Sequence, residues 1–305
     1  MKQISWALQT AVFYLFTLAF AAIPESAIRG SGRLVGGIMY RLLSGRRKVA
    51  IDNIRQALPF MQQHPAWSCP LDTPEAIARQ TFVHLATSLI ETCRLYHGKG
   101  IGIIDAIEVR GREHYDAARA KHKGIVFVTG HCGNWELIAL CFKRLFNENM
   151  SVVARKQNNP YLNAMVERMR MHYDNSVIYK HGALKPIISR LKKDGVVGIL
   201  ADQAVFTEEG VLIDVMGRKA WASKAPVVIA QKTRVPLIPA FIHREHDRHV
   251  ITLSPEFELC GDMSEAGIRQ DVQTLSRYLE AFVCAHPFDW YWVHRRWKRA
   301  GEHSE

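Results

Sequence analysis

The stretch Gly124-Ile125-Val126-Phe127-Val128-Thr129-Gly130-His131-Cys132-Gly133-Asn134-Trp135-Glu136 constrains the fold more than any other part of this 305-residue chain. Its first half is a short apolar run rich in β-branched residues, the pattern of a strand buried on both faces. The run breaks at Gly130. From Asn134 to Phe146 the apolar positions recur at helical spacing, with Asn134 placed as an N-cap. His131 is therefore expected at a strand end and Glu136 in the first turn of the following helix. Along one continuous helix, positions five apart would point about 140° away from each other; a strand–turn–helix corner lets the carboxylate approach the imidazole. Such a pair suits proton abstraction from a hydroxyl, because a carboxylate on one ring nitrogen fixes the tautomer and stabilises the imidazolium that forms.

The same alternation runs on from Ile107. Apolar strands are expected at 107–110, 152–154, 177–179, 196–201, 237–242 and 249–253, with helices at 113–121, 160–173, 186–193, 224–233 and 265–285 between and after them. This predicts an α/β fold, a mainly parallel central sheet flanked by helices. In such sheets ligands bind beyond the carboxyl ends of the strands. His131, Arg155 and Asp202 all stand at expected strand ends, so one edge could gather them.

Upstream lies a different region. Residues 4–23 carry no charge; as a helix they would span about 30 Å, enough to cross a hydrocarbon core. Arg29, Arg33, Arg41, Arg46, Arg47 and Lys48 follow, and only Lys2 precedes, which puts the following domain on the cytoplasmic side. A cleaved leader ending at Ala19-Phe20-Ala21 and a helix lying in the bilayer interface are the alternatives. Residues 1–28 are expected to form a membrane-anchor helix, and 29–305 a single α/β domain. One or two basic amphipathic helices are expected over 33–57, a loop from Pro59 to Pro74, and a core helix from Glu75 to Tyr96.

The formal net charge of +11 points to an anionic partner. No base-reading module accompanies the basic residues, which argues against nucleic acid. Six scattered cysteines form no Cys-x-x-Cys pair and suit a reduced compartment; no paired ligands suggest a metal site. Cys132 as a nucleophile is disfavoured, since adjacent residues rarely aim at each other across a strand end.

Five pieces then fall in order: Gly130-His131-Cys132-Gly133-Asn134-Trp135-Glu136; Val153-Ala154-Arg155 with Asn159-Pro160; Ala201-Asp202-Gln203; Met216-Gly217-Arg218-Lys219-Ala220; and Pro287-Phe288-Asp289-Trp290-Tyr291-Trp292-Val293-His294-Arg295-Arg296-Trp297-Lys298. Together they resemble the bacterial lipid A biosynthesis (lauroyl/myristoyl) acyltransferase family, which also includes mycobacterial phosphatidylinositol mannoside acyltransferases. One departure is Val215-Met216 before Gly217, where the family often has two aromatics. The resemblance implies an inner-membrane enzyme, with its catalytic domain on the cytoplasmic side. It would move a fatty acyl chain from a thioester on acyl carrier protein, or coenzyme A, to a hydroxyl of an anionic glycolipid, with no other cofactor. It implies His131 as general base oriented by Glu136, with Arg170, Asp202, Arg155, Asn134 and Gln203 binding substrate. Acylation of a lysophospholipid or aminolipid by the same site, or a non-catalytic basic lipid-binding protein on a membrane tether, are the competing readings. The aromatic C-terminal piece suits either a clasp on the fold or a lipid-facing patch, the clasp being preferred.

Overall fold

The computed structural model describes residues 2–246 and 248–300. Four long helices come first: α1 (Lys2–Ala21), α2 (Ile28–Leu42), α3 (Ser44–Gln63) and α4 (Pro74–Tyr96). A short α5 (Ile101–Asp105) leads into the alternating part. There follow β1 (Glu108–Arg110), α6 (Arg112–Arg119), β2 (Ile125–Thr129), α7 (Glu136–Leu140), α8 (Phe142–Phe146), β3 (Met150–Ala154), α9 (Pro160–Met171), β4 (Ser176–Tyr179), α10 (Leu184–Leu191) and β5 (Val196–Leu200). A hairpin of β6 (Gly210–Val215) and β7 (Arg218–Ser223), then α11 (Ala225–Thr233), β8 (Leu237–Glu245), β9 (Arg248–Leu253) and α12 (Glu265–Ala285) complete the order.

The seven-stranded sheet runs β1-β9-β8-β2-β5-β3-β4. All neighbours pair parallel except β8 with β9, so the fold is the expected α/β sheet with helices on both faces. β2 explains its own composition. Ile125 and Phe127 enter the core beneath α7 and α8, while Val126 and Val128 enter the opposite core beneath α10 and α11. A strand buried on both faces has no place for a polar residue.

A third core joins α3, α4, α12, the β6–β7 hairpin and the tryptophans near the C-terminus. α2 crosses α4 at very short range: a Cβ on Gly36 would lie 2.6 Å from the Cα of Val83, and one on Gly32 would lie 2.1 Å from the Thr87 hydroxyl. Only glycine lets the two backbones meet there.

Several local expectations differ from the structure. The helix after His131 does not begin at Asn134 and is interrupted at Cys141, giving two single-turn pieces. The loop expected from Pro59 starts only after Gln63, because α3 runs through Pro59. Pro59 faces solvent, so water can take the carbonyl its missing N–H leaves unpaired. The β6–β7 hairpin was not anticipated at all; Met216 and Gly217 make its turn with φ of 49° and 74°, the signature of a hairpin turn usually marked by Asn-Gly.

Candidate active site

β2 and β5 are neighbours, with Thr129 paired to Leu200. The same register, carried two residues past the strand ends, brings His131 to Asp202. The Nδ1 of His131 lies 2.7 Å from Oδ1 of Asp202, and the His131 backbone N–H donates to Oδ2 at 2.9 Å. Trp290 donates its indole N–H to the same Oδ2 at 2.9 Å. Gly133 has φ +52°, and a Cβ there would sit 2.4 Å from the Ile242 carbonyl oxygen; the turn that aims His131 needs glycine at this point.

The carboxylate hydrogen-bonded to His131 is therefore that of Asp202, not that of Glu136. Glu136 accepts from Arg170 through both oxygens, at 2.8 and 3.2 Å, and from the Tyr96 hydroxyl at 3.0 Å. The reason is positional: in α7's first turn Glu136 faces α4 and α9, whereas β5 delivers Asp202 onto the ring. Electrostatics follow this division. Burial acts to raise the Asp202 pKa, but His131 and the indole N–H outweigh it and hold the carboxyl down at about 2. Burial would lower the pKa of His131, yet Asp202 first, then Glu136, keep it above its ordinary value. Burial likewise opposes ionisation of Glu136, and Arg170, Tyr96 and His131 overcome it.

Asp202, on Nδ1, fixes the proton there and leaves Nε2 as the accepting nitrogen. The Gln203 carboxamide nitrogen lies 3.3 Å from Nε2. His131 opens into a cleft of about 760 Å³ at the carboxyl ends of β2, β3 and β5, which Arg155, Arg170, Gln203, Lys180 and Lys224 also line. A second cavity of about 430 Å³ lies on the other side of Trp135 and Glu136, beneath α2. Its walls include Met39, Leu43, Phe82, Leu85, Leu89 and Val293, with Arg46 at the margin. Trp135 and Glu136 line both spaces. His131 itself stands in an aromatic corner, its ring 5.1 Å from Trp135 and 5.9 Å from Tyr291.

Of the residues singled out in the sequence, His131, Glu136, Arg155, Arg170 and Gln203 share the cleft, and Asp202 lies against His131. Asn134 does not cap a helix. It is buried, donating to Glu91 at 3.1 Å and accepting from Thr92 at 3.0 Å; it ties the His131 turn to α4 and faces the apolar cavity instead. Glu91 is in turn held by Arg244 and His249. Cys132 is fully buried, and burial first, then Asp202 and Asp289, push its thiol well above the ordinary value, an environment that works against a thiolate.

Sequence reasoning missed Tyr96 and Trp290. Tyr96 had no distinguishing mark within a core helix, and Trp290 lay in a noted motif but without a role. That motif packs inward, with Trp290, Trp292 and Trp297 buried. Trp290 bridges to Cys132 and the Tyr291 N–H donates to the His131 carbonyl at 3.1 Å, so the segment is a clasp on the turn that carries His131.

The model of the bacterial lipid A biosynthesis acyltransferases matches residues 3–299. A phosphatidylinositol mannoside acyltransferase of Mycolicibacterium smegmatis is 23% identical over 283 residues, covering 90% of this chain and 87% of that protein. The lipid A biosynthesis lauroyltransferase of Escherichia coli is 23% identical over 284 residues, covering 92% and 88%. A lipid A biosynthesis acyltransferase of Haemophilus influenzae is 20% identical over 294 residues, covering 94% and 86%. With the match spanning nearly the whole chain, from the N-terminal helix to the C-terminal clasp, this protein is an acyltransferase and belongs to the bacterial lipid A biosynthesis acyltransferase family.

Proposed function

We propose that this chain transfers a fatty acyl group from a thioester, carried by acyl carrier protein, to a hydroxyl of an anionic glycolipid of the lipid A type. The observation that carries the reading is the pairing of His131 Nδ1, on a ring that opens into the cleft, with the buried Asp202 carboxylate, whose pKa is held low. In the reaction the acceptor hydroxyl sits on Nε2 of His131, in the place where the Gln203 amide now approaches. As the hydroxyl oxygen attacks the thioester carbonyl, Nε2 takes its proton and Asp202 stabilises the imidazolium. The tetrahedral oxyanion then collapses, the C–S bond breaks, and the imidazolium returns the proton to the leaving thiolate. No covalent enzyme intermediate is needed, in keeping with the inert Cys132.

The two spaces around Trp135 suit two kinds of cargo. The apolar cavity beneath α2 fits a hydrocarbon chain. The cleft at the strand ends, with Arg155, Lys180 and Lys224 on its walls, fits the phosphorylated arm of the donor and an anionic headgroup. Arg170, its charge committed to Glu136, braces that carboxylate more than it serves as a phosphate ligand.

Membrane attachment is proposed through α1 and α2, at the cytoplasmic face of the inner membrane. α1 is long and apolar enough to cross a bilayer. Its contacts favour lying beside the domain: Asn159 donates to the Trp6 carbonyl at 2.9 Å, His97 meets Thr17 at 3.0 Å, and Arg94 reaches the Ala21 and Ile23 carbonyls. Ile4, Leu8, Val12 and Leu15 remain exposed on α1, and Leu34, Ile38 and Leu42 on α2, each set at the spacing of one helix face.

The test is transfer of a labelled acyl chain from an acyl-carrier-protein thioester to a lipid A precursor by detergent-solubilised protein. His131→Ala is expected to lower kcat by about 10²- to 10⁴-fold. Near-full transfer by that variant rules the mechanism out, and transfer confined to lysophospholipid assigns a different acceptor.

A further inference from the structure

We propose that Trp290 is a positioning residue for His131, acting through Asp202, so that the C-terminal segment 287–298 belongs to the catalytic apparatus as well as to the fold. This rests on the reading of His131 as the base.

Asp202 has two oxygens and three donors. Oδ1 meets His131 Nδ1, and Oδ2 receives both the His131 backbone N–H and the Trp290 indole N–H. The backbone donor is fixed to the same turn as the ring it serves. The indole is the donor that comes from elsewhere, and it sets the plane of the carboxylate independently. Trp290 is 3% exposed, with its ring edge-on to Trp292 at 4.6 Å and to Trp297 at 6.1 Å, so it cannot follow Asp202 into another rotamer. Its own backbone is tied to the His131 turn: Trp290 bridges to Cys132, Gly133 N–H donates to the Asp289 carbonyl, and Tyr291 N–H to that of His131. One segment thus holds the imidazole by its main chain and the carboxylate by an indole.

Behind the carboxylate, Arg296 of the same segment is buried and donates to the Trp221 carbonyl; it lines a small cavity with Asp202. The ionisable groups facing the pair are Glu136 from α7, His294 and Arg296 from the C-terminal segment, and Cys132. A buried indole N–H needs a partner wherever it sits, so a purely structural bond is the rival account. The two separate on whether His131 changes when the N–H alone is removed.

The experiment replaces Trp290 with β-(3-benzothienyl)alanine, which keeps the ring shape and puts sulfur where the N–H was, and compares it with Trp290→Phe. kcat and KM are measured with an acyl-carrier-protein thioester and a lipid A precursor, and the titration of isotope-labelled His131 is followed by NMR. Expected is a fall in kcat of about ten- to hundredfold, KM within about twofold, and a His131 midpoint moved acidward as its hold on Asp202 loosens. A His131 midpoint that is unchanged or moves to higher pH overturns the proposal, whatever happens to kcat. His131→Ala is assayed alongside: if it stays active, the base reading has failed, and the NMR titration still decides the positioning role without reference to turnover.

Discussion

Two carboxylates flank His131, Asp202 buried and Glu136 partly exposed, and they are committed to different partners. Asp202 is met by an imidazole, a backbone amide and an indole. Of these three groups, only the imidazole is ionisable. Glu136 is met by a guanidinium and a phenol. A carboxylate already neutralised by a permanent cation has little left to offer a histidine, whereas one held by neutral donors places its charge on the imidazolium when that forms. On the proposed mechanism the contrast separates orientation from architecture: Asp202 aims the base, while Glu136 with Arg170 and Tyr96 ties α7 to α9 and α4 and lines both the cleft and the apolar cavity.

The largest effect that would break this division is on turnover. Asp202→Asn is expected to lower kcat by up to about 10⁴-fold with KM little changed, because an amide can stabilise the wrong tautomer of the ring. Steady-state assays with donor and acceptor varied separately check it. Glu136→Gln is expected to act mainly on stability, by about 2 kcal/mol, since it leaves the Arg170 charge unpaired; the figure is modest because the paired side chains keep 23% and 21% of their exposure. Denaturant unfolding measures it, and adding Arg170→Met should recover part of the loss. If Glu136→Gln instead matches Asp202→Asn in kcat while remaining folded, the two roles have been assigned the wrong way round. The smallest effect is expected at Cys132: Cys132→Ala should stay within a few-fold of full activity in the same assay, whereas a nucleophile would lose it entirely.

The sheet was legible because each strand announces itself in consecutive residues. Val196–Leu200 and Ile125–Thr129 need no knowledge of what they pair with to read as buried strands. The edge where His131, Arg155 and Asp202 gather followed from that reading and from where ligands bind in such sheets. The His131–Asp202 bond did not, because it depends on β2 and β5 being neighbours in register, a fact spread across 71 positions. Glu136, five residues from His131, was the nearer candidate in sequence, but in space its hydrogen bonds go to Arg170 and Tyr96. Trp290 was harder still: its contact arises only after a segment at the far end of the chain folds back over the His131 turn. The β6–β7 hairpin escaped because Met216-Gly217 lacks the usual turn residues, although Met216 does adopt the left-handed conformation there.

The most direct test of the His131–Asp202 pair is the pH dependence of kcat/KM. On the proposed mechanism neutral His131 is the active form, and Asp202 raises its pKa above the ordinary histidine value against the opposing effect of burial. Activity should therefore rise with pH through a midpoint above about 6.5 and then level off. In Asp202→Asn the main cause of the elevation is gone and burial remains, so the residual activity should rise through a lower midpoint. The same midpoint in both proteins, or a profile that falls over this range, would contradict a base held by that carboxylate.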